Sequence, residues 1–87
     1  MNIKIRLFAA FKDLLGKSEL DINLEGGSTI EDAKEYLKSN YPQIGHLIDI
    51  SRFAVNMEYK STNETLSDGD ELSIIMPVSG GAIYIVN

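Results

Sequence analysis

Eighty-seven residues with 44% hydrophobic side chains and a formal net charge of −5 make one acidic domain with enough apolar material for a packed core. The chain has no cysteine and one histidine, which excludes disulfides, thiolate metal sites, a cysteine nucleophile and multi-histidine metal chemistry. Its eight basic residues are interleaved with thirteen acidic ones, so no cluster exists to neutralise nucleic-acid phosphates, and no apolar run approaches the roughly 20 residues of a membrane span.

The chain enters a strand pattern directly, which predicts a soluble, cytoplasmic protein. In "NIKIRLF", Ile3, Ile5 and Leu7 alternate with Lys4 and Arg6, the period of a half-buried strand. "SELDINLE" repeats the pattern, with Leu20, Ile22 and Leu24 inside and Glu19, Asp21 and Asn23 outside. The intervening "AAFKDLLGK" is too long for a tight hairpin. Phe11, Leu14 and Leu15 have helical spacing, and Gly16 stands where a C-terminal helix cap belongs.

"EGGSTIEDAKEYLKSNYP" predicts the main helix. Ser28 and Glu31 have capping-box spacing, and Ile30, Ala33 and Leu37 form one apolar stripe. Glu31 and Asp32 near the start and Lys38 near the end suit the helix dipole, and Pro42 stops the helix. "PQIGHLIDIS" reads as turn-rich, with His46 on or near the surface. "RFAVNMEYK" alternates Phe53, Val55, Met57 and Tyr59 as a third strand. "STNETLSDGD" is turn chemistry, sharpest at Asp68-Gly69, and "ELSIIMPV" places Leu72, Ile74 and Met76 on one face of a last strand.

One helix among strands must cover one sheet face, an α+β arrangement. The order satisfies a β-grasp (ubiquitin-like) fold: a mixed sheet of about four to five strands, its first and last strands parallel at the centre, with one main helix on one face. Enzyme chemistry finds little support in this pattern. Asp68 and Asp70 flank an exposed turn rather than a cleft that would separate their pKa values. Gly26-Gly27 precedes a helix without a dinucleotide or phosphate-loop motif, and His46 has no assigned partner.

The ending "PVSGGAIYIVN" reads in two ways. Gly80-Gly81 between β-prone runs suits a tight hairpin turn. If the strand ending at Met76 is central, however, both its edges are already paired, and Pro77 removes a donor. The other reading is a tail leaving the sheet, whose glycines pass a narrow channel and present a carboxylate for activation by a partner enzyme.

The opening "IKIRLFAAFKDLLGKSELDINL", the segment "FAVNMEY" and the ending "LSDGDELSIIMPVSGG" resemble the small subunit of molybdopterin synthase, a ubiquitin-like sulfur carrier family, across residues 2 to 81. The thiamine-pathway sulfur carriers share the fold and the glycine pair but match "LFAAFKDLLG" less well. The resemblance implies a sulfur-carrier domain over residues 1–81 followed by an extension, 82–87. It implies that Gly81 is adenylated by an activating enzyme related to ubiquitin E1 proteins, which uses ATP, and then carries a thiocarboxylate. Sulfur then passes to a pyranopterin precursor within a large catalytic subunit. Gly80 gives clearance and Pro77, Val78 and Ser79 form the threaded arm, while Phe8, Lys12, Ile75 and Met76 lie near the partner surface. The carrier itself would bind no cofactor and would not be a self-sufficient enzyme.

The sequence departs from the family in continuing past the second glycine with "AIYIVN", which leaves Gly81 without a free carboxylate. Three explanations are open: removal of Ala82 to Asn87 by a protease, use of the extension as a strand of a fused or partner subunit, or a docking role without carrier chemistry. The last would make the chain a non-catalytic β-grasp interaction module. A ubiquitin-like modifier joined to lysines is a further alternative.

Overall fold

Alternation of branched apolar and charged side chains produces β1 (Asn2–Leu7), whose Ile3, Ile5 and Leu7 are buried. This computed structural model describes residues 1–76; residues 77–87, including the expected arm and glycine pair, lie outside the described residues. β1 turns into α1 (Ala9–Leu15), which buries Phe11 and ends at Gly16 in the left-handed conformation, φ 72°, with its N–H bonding Lys12 O at 2.8 Å. β2 (Glu19–Asn23) then returns antiparallel to β1, placing Leu20 and Ile22 in the core.

The main helix is α2 (Ile30–Asn40), and Ile30, Ala33 and Leu37 form its buried stripe as the spacing predicts. Its cap sits one residue later than expected. Thr29, not Ser28, is the N-cap: Asp32 N–H donates to Thr29 Oγ1 at 3.3 Å and Thr29 N–H donates to Asp32 Oδ2 at 2.8 Å. Both Ser-x-x-Glu and Thr-x-x-Asp fit the cap pattern, and long-range pairing chooses between them. Ser28 is held in a turn by Glu25 O and accepts from Leu66 N–H, while Thr29 bridges to Thr65.

After α2, the stretch expected as turn is a 3₁₀ turn (Pro42–Ile44) running into α3 (Gly45–Asp49). Its apolar positions, Ile44 and Ile48, are both fully buried, so these short helices extend the core. His46 is exposed on α3.

The expected third strand is two strands. β3 (Arg52–Val55) and β4 (Glu58–Lys60) form a hairpin closed by Asn56 and Met57, with φ of 48° and 74°. Positive φ at both central residues matches the right-handed twist of the flanking strands. The reversal moves Tyr59 off the face of Phe53, because Tyr59 pairs with Ala54. Met57 is left exposed at the tip. β5 (Glu71–Ile75) completes a five-stranded sheet in the order β2-β1-β5-β3-β4. β5 is parallel to β1 and antiparallel to β3, which places the first and last strands side by side at the centre, as a β-grasp requires.

Candidate functional site: the open face of the sheet

The helices cover one sheet face, so the alternate residues of every strand form a second face, which no other described element covers. Pairing aligns Glu19, Arg6, Ser73, Ala54 and Tyr59 in one row across it, and Ile75 with Arg52 in the next. Phe8, in extended conformation just beyond β1, continues the Lys4–Arg6 side of that strand. Since Leu7 pairs with Ile74, the register brings Phe8 beside Ile75.

Small side chains in the middle, Ser73 and Ala54, are buried despite facing outward, and larger groups stand around them. Arg6 lies 5.8 Å from the centre of the Phe8 ring and donates from Nη1 to Glu71 Oε2 at 3.2 Å. Its Nε is buried with no hydrogen-bond partner among the described residues. Arg52 lies 6.0 Å from the Tyr59 ring centre. Phe8 and Tyr59 are 45% and 62% exposed, so two aromatic rings stand open to solvent on this face.

Of the residues expected at a partner surface, the structure brings Phe8 and Ile75 together on this face. Lys12 is exposed on α1, one turn after Phe8, and Met76 is half-buried against the core. Pro77, Val78, Ser79, Gly80 and Gly81 lie outside the described residues. Tyr59, Arg52 and Arg6 complete the face and escaped the sequence reading. Tyr59 was hidden by the hairpin, whose only local signal is Asn56, a residue tolerant of positive φ.

The acidic turn is structural. Asp68 Oδ1 accepts from Asn2 N–H at 2.7 Å, and Gly69 N–H returns a bond to Asn2 O at 2.8 Å. Asp70 accepts from Ser67 N–H at 2.8 Å and from the Asn56 amide at 3.0 Å. The turn therefore ties the start of β1 to the tip of the β3–β4 hairpin, and its two carboxylates are not an acid–base pair.

The perturbed titrations lie on the helical side. A 2.8 Å hydrogen bond from Lys38 Nζ to Asp49 Oδ1 raises the lysine pKa and lowers that of the carboxylate. Lys34, 3.7 Å away, adds to the depression at Asp49, and the three join α2 to α3. Among the described residues no group of three or more His, Cys, Asp or Glu could hold a metal ion, and no helix is long and apolar enough to cross a membrane.

The ThiS family matches residues 5–81. The molybdopterin synthase sulfur carrier subunit of Dictyostelium discoideum is 42% identical over 83 residues, covering 92% of this chain and 96% of that protein. Small archaeal modifier protein 1 of Haloferax volcanii is 30% identical over 84 residues, covering 87% and 97%. Among solved structures, a putative molybdopterin converting factor subunit 1 from Pyrococcus furiosus superposes with a TM-score of 0.82 at 30% identity, covering 90% of this chain and 99% of that one. A complex of subunits 1 and 2 of molybdopterin-converting factor from Helicobacter pylori shares the fold, with a TM-score of 0.70 at 22% identity and coverage of 93% and 100%. The match over 77 of 87 residues and the shared β-grasp architecture lead to one conclusion: this chain belongs to the ThiS family.

Proposed function

We propose that this chain is the sulfur carrier subunit of a molybdopterin synthase in the cytoplasm. The observation that carries the reading is its 42% identity, across nearly its whole length, to a protein of that name. The fold supports it. β5, which leads into the glycine pair, runs up the centre of the sheet, and its end adjoins the aromatic face built from Phe8, Ile75, Arg52 and Tyr59. A large catalytic subunit would rest on that face while receiving Pro77, Val78, Ser79, Gly80 and Gly81.

The chemistry begins at Gly81, whose carbonyl is bonded to Ala82 in this sequence. Hydrolysis of that bond releases a carboxylate. An E1-like enzyme transfers AMP from ATP to it, expelling pyrophosphate, because a bare carboxylate is a poor electrophile. Sulfide then displaces AMP from the acyl carbon to leave a thiocarboxylate. The thiocarboxylate sulfur bonds to the pyranopterin precursor, and water then cleaves the acyl–sulfur bond, leaving the sulfur on the precursor and returning the carboxylate for another cycle. No bound cofactor is required of the carrier itself.

Intact mass spectrometry of the chain ending at Gly81, after incubation with a cognate activating enzyme, ATP and a sulfur source, tests the reading. The expected product ends at Gly81 with one oxygen replaced by sulfur. A chain ending at Gly81 that never gains sulfur would overturn it. Lysine-linked conjugates in cells, without sulfur transfer to a pterin, would favour a modifier instead.

A further inference from the structure

The last strand of the sheet is short, and its residues Glu58, Tyr59 and Lys60 are all exposed. Asn56 N–H bonds to Glu71 O at 2.8 Å, so the backbone groups of Ala54 and Arg52 are turned toward β5 and those of Phe53 and Val55 toward β4. Phe53 and Val55 pair with Lys60 and Glu58, which leaves the N–H and C=O of Tyr59 aimed outward from the sheet. No other described strand takes up that edge.

An unpaired edge is a template, and the side chains along it decide what can pair. Glu58 and Lys60 flank Tyr59 and share the sheet face opposite its ring. Parallel, in-register pairing with an identical edge would set Glu58 against Glu58 and Lys60 against Lys60. Antiparallel pairing centred on Tyr59 does the reverse: each Glu58 meets the Lys60 of the other copy, twice over by symmetry. At the axis the two Tyr59 backbones exchange both of their hydrogen bonds. Within one copy the contact of Lys60 Nζ with Glu58 Oε1, at 3.5 Å, is exposed and weak, so trading it for cross-strand pairs costs little.

The same register continues past the strand. Two residues from the axis, Met57 falls opposite Ser61 of the other copy. Met57 is 87% exposed, more than any other large apolar side chain among the described residues. Ser61 helps to line a surface hollow of about 360 Å³, together with Arg52, Phe53, Tyr59 and Thr62. Each hairpin tip therefore arrives at the other copy's hollow, and an unbranched methionine is suited to filling an irregular one.

We propose that a second copy of this chain pairs with β4 about a two-fold axis at Tyr59, joining their five-stranded sheets edge to edge. The contact is small, so the dimer is a weak one that forms at high concentration. The pairing stands apart from the carrier reading; only its consequence, competition with a large catalytic subunit for the surface around Tyr59, rests on it.

Sedimentation of the full chain at about 150 mM salt, where the acidic surfaces are largely screened from one another, measures the association. The wild type should pass from monomer to dimer as concentration rises, with amide shifts at Tyr59 and Ser61. Lys60→Glu makes the edge wholly acidic and Glu58→Lys makes it wholly basic, so each protein alone should associate at least about fivefold more weakly. An equal mixture of the two should recover the dimer, because every acid then faces a base. Met57→Ser should weaken the wild-type dimer by a similar factor. A wild type still monomeric at about 1 mM would overturn the proposal. So would a mixture that associates no better than its components, or a dimer indifferent to both charge changes, which would place the contact elsewhere in the chain. None of these measurements involves sulfur chemistry, so failure to form a thiocarboxylate leaves them unaffected.

Discussion

The two faces of the sheet use the same strands and opposite rules. Under the helices, Ile3, Ile5, Leu72 and Ile74 are fully buried, and Phe11, Leu37, Ile44 and Ile48 close over them. On the other side, one residue along each strand, stand Lys4, Arg6, Ser73, Ala54 and Arg52, with aromatic rings left exposed around small buried residues. The first face is built for density, where each missing methylene is felt. The second leaves rings and a guanidinium nitrogen unsatisfied, an arrangement suited to contact with another surface. Stability resides on the covered face, and the proposed partner contact falls on the open one.

That division can be broken most directly from the covered side. Leu37→Ala, at a fully buried position, should lose about 2–5 kcal/mol, read from the urea unfolding midpoint. A loss below about 1 kcal/mol would mean that α2 is not a principal element of the core.

Next in size is the turn that ties the start of β1 to the tip of the β3–β4 hairpin. Asp70→Ala removes acceptors for Ser67 N–H and Asn56 and should cost about 1 kcal/mol. Local amide exchange at Ser67 should rise with it. An unchanged unfolding midpoint would leave the turn as mere surface.

The open face should answer differently. Tyr59→Ser should alter stability by no more than about 0.5 kcal/mol, while weakening association with a large catalytic subunit in titration calorimetry. Should the variant unfold readily yet still bind its partner, the assignment of roles to the two faces would be reversed.

The smallest effect belongs to the ion cluster on the helices. The hydrogen bond from Lys38 lowers the Asp49 pKa from its ordinary 3.8, so this contribution is complete above that value and is lost as pH falls through the folded pKa. The same bond raises Lys38 above 10.5; its contribution is present below that value and is lost as pH rises through the folded pKa. Asp49→Asn should flatten the unfolding midpoint at both ends of a pH series, weakly, because the pair faces solvent. An acid limb as steep as that of the wild type would assign the dependence to other carboxylates.

Much of this was legible in the chain itself. Two-residue alternation marked β1, β2 and β5, and the Ile30, Ala33, Leu37 stripe marked α2, because these patterns are set by backbone geometry and burial. The α2 cap was displaced by one residue because two chemically equivalent caps overlap, and Thr29 is selected by its bridge to Thr65. The candidate site was half legible. Phe8 and Ile75 emerged by resemblance, whereas Tyr59 changed face when a reversal at Asn56-Met57 divided an apparently continuous alternation.

The amino-acid sequence thus determined which residues are apolar at strand or helix spacing, where most elements begin and end, and the glycine pair that a carrier would use. Those properties are local, governed by side-chain period and by turn and cap chemistry within a few residues. Tertiary structure alone decided which cap closes α2, that Pro42 leads into helices sealing the core, and that Tyr59 joins Arg52 beside Ile75. Each depends on partners distant in the chain, since pairing register and burial compare alternatives that local sequence leaves nearly equal in energy.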